Sequence, residues 1–423
     1  MTSSTITLTY RLANSSQQGI INSVGGGAVP ADQTYLQDLE TFLNFFNTQF
    51  ELYGRHVVLK TYQGQGDYVT EDQGQDLGGA QADAATVSGL GAFADVTFLL
   101  TSSQPYEEDL AAEHVVSFSP TGLPHSWFAQ YAPYEWSLWA SGTKIAESYV
   151  NTVCSRMAGM PAIFAGDPSL TGKTRSFGML TPENPEYVAL GNIIQSGLAR
   201  CGVKLARSAT YSIDYAQAAE QGTAAMSAFQ ASGVTTVLCV CDPVIPIFFA
   251  NAADGQSYHP EWVVPNYLDP GGQQVSSEQW SHAISIDGWP MPAQGQGEAA
   301  HAFSLAAPGK QPAEEYWMVA YYTLLQVFDG LQAAGPDLTP QTFAQGMFSL
   351  PSSSQGQLGT WSAAGGHFTA PVNTMIEWWD PNAKSNLNGK QGAWEPCNGG
   401  QWVTYSDPGS WAPSHQQLAC FGR

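Results

Sequence analysis

The sequence predicts an α/β protein made of two doubly wound parallel-sheet lobes joined by a multi-strand hinge. Three observations lead to this prediction. Helical and strand-like segments alternate along most of the chain, and a second, similar run of alternation begins near Lys144. In addition, a chain of 423 residues is too long for one simple core, so two or three domains are expected.

The first run of elements starts with an amphipathic helix over residues 29–53. Its apolar residues recur on one helical face, Pro30 opens the helix and Gly54 closes it. We then expect strands at residues 56–62, 92–100 and 115–119, separated by helices at residues 80–90 and 106–114. This order is typical of a parallel sheet with helices on both faces.

The second run repeats the pattern. Helices are predicted over residues 145–157, 187–200, 215–232 and 245–253, and strands over residues 162–165, 177–180, 204–211, 235–241 and 262–264. A glycine- and glutamine-rich joint at residues 269–274 follows. Beyond it we expect a strand at 282–286 and helices at 313–334 and 340–348.

The C-terminal part differs in composition from the rest. From Leu350 onward the chain is rich in Ser, Gly, Trp and Asn, with short strand-like pieces at residues 375–379 and 401–405. We therefore expect an N-terminal lobe of residues 1–121 and 270–365, and a C-terminal lobe of residues 122–269 and 366–423 with an extended tail. Two such lobes enclose a cleft.

The charge balance excludes some partners. Lys and Arg number 14 against 36 Asp and Glu, a net charge of −22. Nucleic acids and anionic membranes need concentrated positive charge, so neither is an expected partner. No run of apolar residues is long enough to span a bilayer, and no signal peptide follows Met1. We expect an extracellular or cell-envelope protein whose signal sequence has been removed, with a lipid anchor as its only membrane contact, if any.

Six cysteines occur without metal-ligand spacing. We expect Cys397 and Cys420 to form a disulfide that fastens the loop-rich tail, and Cys154 with Cys201 is a second candidate pair. Cys239 and Cys241 lie in an apolar stretch and are expected as two thiols on one face of a buried strand.

Motifs of catalysis and cofactor binding are missing. The segment 166–174 has five residues between its glycines instead of the four of a phosphate-binding loop, and Pro168 removes an amide that such a loop needs. The sequence contains neither HExxH nor GxSxG. We therefore expect no cofactor, no metal and no catalytic residue.

Four segments carry a resemblance to a known family. They are residues 21–26 (INSVGG) with 54–60 (GRHVVLK), 116–122 (VSFSPTG), 229–238 (FQASGVTTVL) and 316–326 (YWMVAYYTLLQ). In order and spacing they resemble the branched-chain amino acid-binding family of ABC-transporter solute-binding proteins, which has the type I periplasmic-binding fold. The resemblance spans roughly residues 5 to 380. It implies a protein that captures a small molecule between its lobes by hinge closure and delivers it to an ABC permease; the expected ligand is an amino acid, an amide or related compound, or an aromatic compound.

The resemblance also implies where the ligand binds, because ligands of open α/β sheets lie beyond the carboxyl ends of strands. In the first lobe these positions are Thr101, Ser102, Ser103 and Gln104, and also Ser119, Thr121 and Gly122. Hydroxyl groups and free amides there suit a carboxylate or amide oxygen. The alternative role of such a hydroxyl is to cap the helix that follows Ser103.

In the second lobe the implied positions are Tyr187, Asp242, Asn266, Tyr267 and Asp269. An acidic side chain there pairs with a ligand ammonium, whereas Asp242 has the alternative role of capping the helix after Pro243. The aromatic cluster that contains Trp127 and Trp136 has two interpretations, core packing or a wall for an apolar ligand.

Two other functions remain open at this stage. A ligand-sensing domain of a receptor has the same fold, and an α/β hydrolase-type enzyme is the less favoured alternative. Convergence of catalytic carboxylates or of a nucleophile–histidine pair in the cleft distinguishes the enzyme from a binding protein.

Overall fold

The computed structural model describes residues 4–12, 14–20, 32–265, 268–354, 359–405 and 417–422. The strands are β1 (Thr5–Leu12), β2 (His56–Gln63), β3 (Ala94–Asp95), β4 (Val116–Ser117), β5 (Phe177–Pro182), β6 (Arg207–Tyr211), β7 (Thr236–Cys239), β8 (Glu261–Val264), β9 (Ala283–Gly288), β10 (Ser353–Ser354), β11 (Thr360–Trp361), β12 (Asn373–Lys384), β13 (Gln391–Pro396) and β14 (Trp402–Thr404).

The principal helices are α1 (Asp32–Gln49), α2 (Tyr68–Asp72), α3 (Leu77–Gly89), α4 (Gln104–Ala112), α5 (His125–Gln130), α6 (Gly142–Arg156), α7 (Pro185–Arg200), α8 (Ala218–Ala231), α9 (Ile245–Gly255), α10 (Asp269–Gly272), α11 (Ser277–Trp280), α12 (Gly297–Ala306), α13 (Trp317–Ala334) and α14 (Pro340–Ser349). Among the described residues no helix combines the length and apolar character needed to cross a membrane.

Two separate sheets form the two lobes. The first is parallel with the order β2-β1-β3-β4. The second has the order β13-β12-β9-β8-β7-β5-β6, with β14 paired to β12. It is parallel from β9 to β6 and antiparallel around β12. The predicted α/β fold class is confirmed, and the predicted short strands of the tail belong to the antiparallel end of the second sheet.

Helices cover both faces of each sheet, which explains the apolar strands that the sequence shows. On the first sheet, α1 and α13 pack together on one side while α3 and α4 pack together on the other. On the second sheet, α6 and α7 form one pair and α8 and α9 form another. The helical layers leave the carboxyl ends of the strands free.

In the described part of the chain the lobes are connected by residues 118–141, by residues 289–296, and by residues 350–354 together with 359–372. The observed packing differs from the expected boundaries. Residues 283–288 were expected in the first lobe, but β9 pairs with β8 and β12 of the second sheet. Residues 123–138 were expected in the second lobe, but Trp127, Phe128 and Trp136 are buried in the first-lobe core. The reason is that the first connection runs along its own lobe before it enters α6.

Strand β1 was not predicted from the sequence, yet it lies in the middle of the first sheet. Its inward residues Ile6, Leu8 and Tyr10 are fully buried. Its other face carries polar residues, including Thr9 and Arg11, that are buried as well. Because threonine and arginine interrupt the apolar pattern, the sequence did not predict a strand that is buried on both faces.

One predicted strand, at residues 162–165, is wrong. Residues 162–165 belong to neither sheet, and the isolated bridge beside them joins Pro161 to Thr174. Glu261 accounts for the position of the segment, because its carboxylate accepts a hydrogen bond from the amide of Phe164 at 3.0 Å. A side chain thus replaces the ladder that the apolar pattern led us to expect.

The structure pairs Cys154 with Cys201 and Cys397 with Cys420, as the sequence suggested. The expectation of two thiols at Cys239 and Cys241 is wrong, because these residues are also joined by a disulfide. Regular strand geometry separates residues i and i+2 by about 6.6 Å. Here the chain leaves β7 at Cys239, and the two Cα atoms are only 5.0 Å apart, within the range that a disulfide spans.

Candidate functional site

A cavity of about 110 Å³ lies between the two lobes, beyond the carboxyl ends of strands of both sheets. The first lobe contributes Tyr68, Val69, Asp72, Leu99, Leu100, Ser102, Gln104, Glu107, Pro120, Thr121 and Leu123. The second lobe contributes Asn184, Glu186, Tyr187, Ile213, Tyr215, Asp242, Pro243 and Val244. We call this space the cleft cavity.

Three hydrogen bonds hold the lobes together around the cleft cavity. They join the Tyr215 amide to Gln17 Oε1 at 3.0 Å, Gln73 Nε2 to the Ile213 carbonyl at 2.5 Å, and Asn184 Nδ2 to the Asp72 carbonyl at 2.8 Å. The side chains of Tyr68 and Val69 also pack into the hydrophobic core of the opposite lobe. The structure therefore represents the closed form.

The cleft cavity brings together five residues that the sequence placed at the site. They are Ser102, Gln104, Thr121, Tyr187 and Asp242. Gly122 borders an adjoining cavity of about 90 Å³, which Thr121 and Tyr187 also line. Strand ends from both lobes thus converge, as the position of ligands in open sheets requires.

Other predicted site residues lie elsewhere. Ser103 is fully buried, its hydroxyl donates to Glu71, and its oxygen caps α4 by accepting from the Tyr106 amide. Ser119 is buried and donates to the Thr97 carbonyl. These hydroxyl groups hold the loops in place and do not face the ligand.

The predicted positions after β8 do not reach the cavity either. Asp269 is buried at the start of α10, where its carboxylate accepts from the Trp394 amide at 3.0 Å, and it does not line the cleft cavity. The chain turns there towards the antiparallel end of the second sheet. Asn266 and Tyr267 fall outside the described residues.

The two tryptophans proposed as a ligand wall are core residues. Trp127 donates its indole N–H to Glu108 at 2.9 Å and packs on Phe128. Trp136 is buried and packs on Phe343, Phe348 and Phe368. Neither lines the cleft cavity, and their burial in the first-lobe core supports the core-packing interpretation at this site.

Two carboxyl groups face the cavity from opposite lobes. Asp242 caps α9, because its Oδ1 accepts from the amides of Val244 and Ile245 at 2.9 Å, and its Oδ2 accepts from the Tyr211 hydroxyl at 2.7 Å. Asp72 Oδ1 accepts from the Gln104 amide at 3.0 Å. Burial raises the pKa of Asp72 to about 7, and the negative charges of Glu71 and Asp242 act in the same direction.

Aromatic rings surround these carboxyl groups. Tyr68, Tyr187 and Tyr215 line the cavity, and burial raises the pKa of each hydroxyl. Among the described lining residues none is Lys, Arg or His. Carboxylates and the faces of tyrosine rings both attract cations, so the electrostatic environment favours a positively charged group.

A different corner of the cavity offers hydrogen-bond donors. Within the described part of the chain, the amides of Thr121 and Gly122 donate no hydrogen bond to another protein group. Thr121 lines the cleft cavity, and Gly122 borders the adjoining cavity of about 90 Å³. Such a group of donors suits a carboxylate or carbonyl oxygen.

Sequence reasoning missed Asp72, Tyr68 and Tyr215. Asp72 and Tyr68 belong to the five-residue helix α2, which follows β2 at the carboxyl edge of the first sheet. The available signal was Asp67, which caps this helix by accepting from the Val69 amide at 3.1 Å. Recognising a helix start after β2 leads directly to these residues.

The buried carboxyl groups predict an unusual pH dependence of stability. Burial raises the pKa of Asp72 and Glu107 to about 7 and that of Glu377 to about 8. In the unfolded chain these groups titrate near pH 4. Between about pH 4 and 7 the folded protein therefore binds protons that the unfolded chain does not, and stability falls as pH rises. We expect a higher melting temperature at pH 5 than at pH 8.

Calorimetry at both pH values in 1 M NaCl checks this expectation. At this ionic strength the Debye length is about 3 Å, so repulsion among surface charges is largely screened while buried groups are not. A melting temperature that is equal at the two pH values, or higher at pH 8, contradicts the assignment of these groups as proton-binding sites of the folded state.

Comparisons with known proteins agree with this geometry. No protein-family model matches the chain, and no curated protein matches its sequence. Among solved structures, the leucine-, isoleucine-, valine-, threonine- and alanine-binding protein from Brucella ovis, in a closed conformation, gives a TM-score of 0.64 at 12% identity over 99% of each chain. An ABC-transporter substrate-binding protein from Aeropyrum pernix gives 0.66 at 11% identity, covering 96% of this chain and 98% of that one.

A third solved structure is a solute-binding protein of an ABC transporter from Rhodopseudomonas palustris BisB5 in complex with 3,4-dihydroxybenzoic acid. It gives a TM-score of 0.63 at 9% identity and covers 96% of this chain and 99% of that one. The chain therefore has the two-lobed type I periplasmic-binding fold of ABC-transporter solute-binding proteins. The fold that the resemblance implied is confirmed.

Proposed function

We propose that this protein is an extracellular solute-binding protein that encloses a small molecule with an ammonium group between its lobes and presents it to an ABC permease. The observation that carries the proposal is the pair Asp72 and Asp242, which face one cavity from opposite lobes. A cation between them adds attractive contacts to both lobes in the closed form only, and such differential contacts are what drive closure.

Amino acids are the ligand class that fits best. An ammonium group at the acidic end, between Asp72 and the tyrosine rings, leaves a carboxylate for the amide of Thr121. The cleft cavity of about 110 Å³ compares with about 150 Å³ for an apolar cavity that accepts benzene. A small amino acid or amine matches this volume.

The names of the similar structures suggest two classes of ligand, amino acids and aromatic acids. The charges of the residues that line the cleft cavity distinguish between these classes. The Brucella ovis protein is named for amino acids, and the Rhodopseudomonas palustris protein is complexed with an aromatic acid. A simple aromatic acid brings a negative charge with no ammonium group. In the cleft cavity it meets Asp72 and Asp242 without a basic side chain among the described lining residues. An ammonium-bearing solute is therefore favoured.

The enzyme alternative has one observation in its support. Asp72, Glu107, Glu186 and Asp242 all line the cavity, and paired carboxyl groups perform acid–base chemistry in many hydrolases. The hydrogen bonds weaken this alternative. Both oxygens of Glu107 accept from serine hydroxyls, Ser102 and Ser117, and both oxygens of Asp242 are engaged. Glu107 is therefore held as a structural acceptor.

A thermal-shift panel tests the proposal. The protein is heated with α-amino acids, simple amines, amides, sugars and aromatic acids, each at a concentration far above a micromolar Kd. A ligand at 100 times its Kd stabilises the folded state by about 2.7 kcal/mol. We expect a clear rise in melting temperature with ammonium-bearing compounds, and native mass spectrometry then gives one solute per chain. A rise with aromatic acids alone, or release of a product from any compound, contradicts the proposal.

A further inference from the structure

Three side chains that are able to bind a metal ion lie together on the second lobe, and we call them the α9–α11 cluster. They are Asp254 at the end of α9, His259 in the loop before β8, and Glu278 on α11. The three ligand atoms all lie within 4.8 Å of one another. His259 closely precedes β8, which begins at Glu261, so the cluster is at the amino end of this strand. The cleft cavity lies beyond the carboxyl ends, on the opposite edge of the sheet.

Two distances in the cluster match the spacing of ligands around one metal ion. His259 Nε2 is 3.6 Å from Asp254 Oδ1 and 3.2 Å from Glu278 Oε1. Zinc binds nitrogen and oxygen atoms at about 2.0–2.2 Å in a tetrahedral arrangement, which separates neighbouring ligand atoms by about 3.4 Å. The contact of 3.6 Å is too long for a hydrogen bond, so a direct bond between His259 and Asp254 does not account for the arrangement.

A buried chain of hydrogen bonds holds the Asp254 carboxylate in this position. Gln279 Nε2 donates to Asp254 Oδ1 at 2.7 Å, and Gln279 Oε1 accepts from the Trp262 indole N–H at 2.9 Å. An indole N–H is a donor only, so it fixes the orientation of the Gln279 amide. Gln279 and Trp262 are both fully buried. Partners that orient a ligand in this way are typical of metal sites, and Asp254 Oδ1 retains a second lone pair for an ion.

The other two ligands differ in how firmly they are held. The carbonyl oxygen of His259 accepts from the amides of Gly166 and Asp167 at 3.0 and 3.2 Å, and its side chain is 17% exposed. The Glu278 side chain is 70% exposed. Two ligands are therefore fixed by the surrounding structure, while the third is able to rotate onto an ion that the first two hold.

The charges of the cluster favour a divalent cation. Among the described ion pairs, His259 is the only basic partner of Asp254 and Glu278. Two carboxylates and a neutral imidazole carry two negative charges, which one divalent ion neutralises. A set of one imidazole nitrogen and two carboxylate oxygens suits zinc, whereas Mg²⁺ and Ca²⁺ prefer oxygen ligands alone.

We propose that the α9–α11 cluster is a zinc-binding site, with Asp254, His259 and Glu278 as ligands and a water molecule as the fourth. The ion joins α11 to the loop between α9 and β8 and so stabilises the second lobe. The spacing of these residues matches no metal-binding sequence motif, which is why the sequence did not predict the site. The site lies away from the cleft and does not depend on the proposed transport function.

Isothermal titration calorimetry of the chelator-treated protein with zinc chloride tests the proposal. We expect one zinc ion to bind per chain with a Kd in the micromolar range or below, and the melting temperature to rise when zinc is added. His259→Gln is expected to weaken zinc binding by about 100-fold or more, because loss of a residue that only orients a ligand already costs about 10- to 100-fold. His301→Gln makes the same change at an exposed position of α12 and is expected to have no effect.

Two further variants complete the test. Asp254→Asn removes a charged ligand but keeps an oxygen for Gln279, and it is expected to repeat the loss, so the result does not depend on the folding of a single variant. Asp72→Asn alters the cleft cavity and is expected to leave zinc binding unchanged. Absence of saturable zinc binding, or wild-type affinity for zinc in either His259→Gln or Asp254→Asn, overturns the proposal.

Discussion

Replacement of Asp72 by asparagine is expected to lower the affinity for an ammonium-bearing solute by about 30- to 4,000-fold. Removing one charged partner of a buried, hydrogen-bonded ion pair costs about 2–5 kcal/mol, and every 1.4 kcal/mol is a factor of ten. Asparagine keeps an oxygen for the Gln104 amide, which donates to Asp72 at 3.0 Å, so α4 keeps its contact with α2. The loss is therefore expected in solute binding while the fold stays intact.

The pH dependence of binding identifies the group responsible. Burial in the closed form raises the pKa of Asp72 to about 7, so closure around a cation keeps ionised a carboxyl group that is otherwise partly protonated at neutral pH. Where Asp72 is protonated, a cationic solute has to displace the proton, so its affinity for the wild-type protein is expected to fall as pH decreases, by up to tenfold for each pH unit. In Asp72→Asn the affinity is expected to vary much less over the same range.

Glu113→Gln is the matched control for this experiment. Glu113 is an exposed carboxylate at the end of α4, outside the described lining of the cleft cavity, and its replacement changes the net charge by the same amount. Calorimetric titration of the two variants measures the difference. Equal affinities in Asp72→Asn, Glu113→Gln and the wild type contradict a role for Asp72 as the partner of the ammonium group.

The largest expected effect on stability comes from Arg11. Its guanidinium group is 1% exposed and donates to both carboxylate oxygens of Glu71 at 3.1 Å, to Asp83 at 3.3 Å and to the Thr101 carbonyl at 3.0 Å. Arg11→Met removes the only basic partner that these two carboxylates have among the described ion pairs. We expect the free energy of unfolding to decrease by about 3–5 kcal/mol, because two buried carboxylates lose their counter-charge.

Urea denaturation of Arg11→Met and Arg207→Met measures this loss. Arg207 is exposed on β6, and such surface substitutions usually change stability by less than about 0.5 kcal/mol. The loss in free energy of unfolding caused by Arg11→Met is expected to be smaller at acidic pH, because protonation then neutralises Glu71. Burial already raises the pKa of Glu71. If Arg11→Met lowers the free energy of unfolding as little as Arg207→Met does, the buried network of Arg11, Glu71 and Asp83 does not stabilise the first lobe.

Periodicity predicted most of the fold because both sheets are covered by helices, which makes their strands and helical faces apolar. The prediction failed where polar atoms replaced apolar ones in the core. Strand β1 places Thr9 and Arg11 in the interior, with Thr9 donating to Asp95 at 2.7 Å and Arg11 in its buried network. Polar contacts of this kind depend on partners far along the chain, which a local pattern cannot supply.

The candidate site was predicted in part, for a related reason. The ends of predicted strands led to Ser102, Thr121 and Asp242, which line the cleft cavity. This worked because ligands of open α/β sheets generally bind beyond the carboxyl ends of the strands. Asp72 lies on the five-residue helix α2 and Tyr215 in a turn, so neither follows the end of a predicted strand directly. That both line one cavity follows from the relative position of the lobes, which sequence spacing does not contain.

Capture by lobe closure is the central claim, and small-angle X-ray scattering tests it most directly. The radius of gyration is measured with and without a saturating concentration of the amine or amino acid that gives the largest thermal shift. The three interlobe hydrogen bonds made by Gln17, Gln73 and Asn184 belong to the closed form. We predict a smaller radius of gyration with the solute, matching the closed structure. An unchanged radius of gyration at full occupancy contradicts capture by closure.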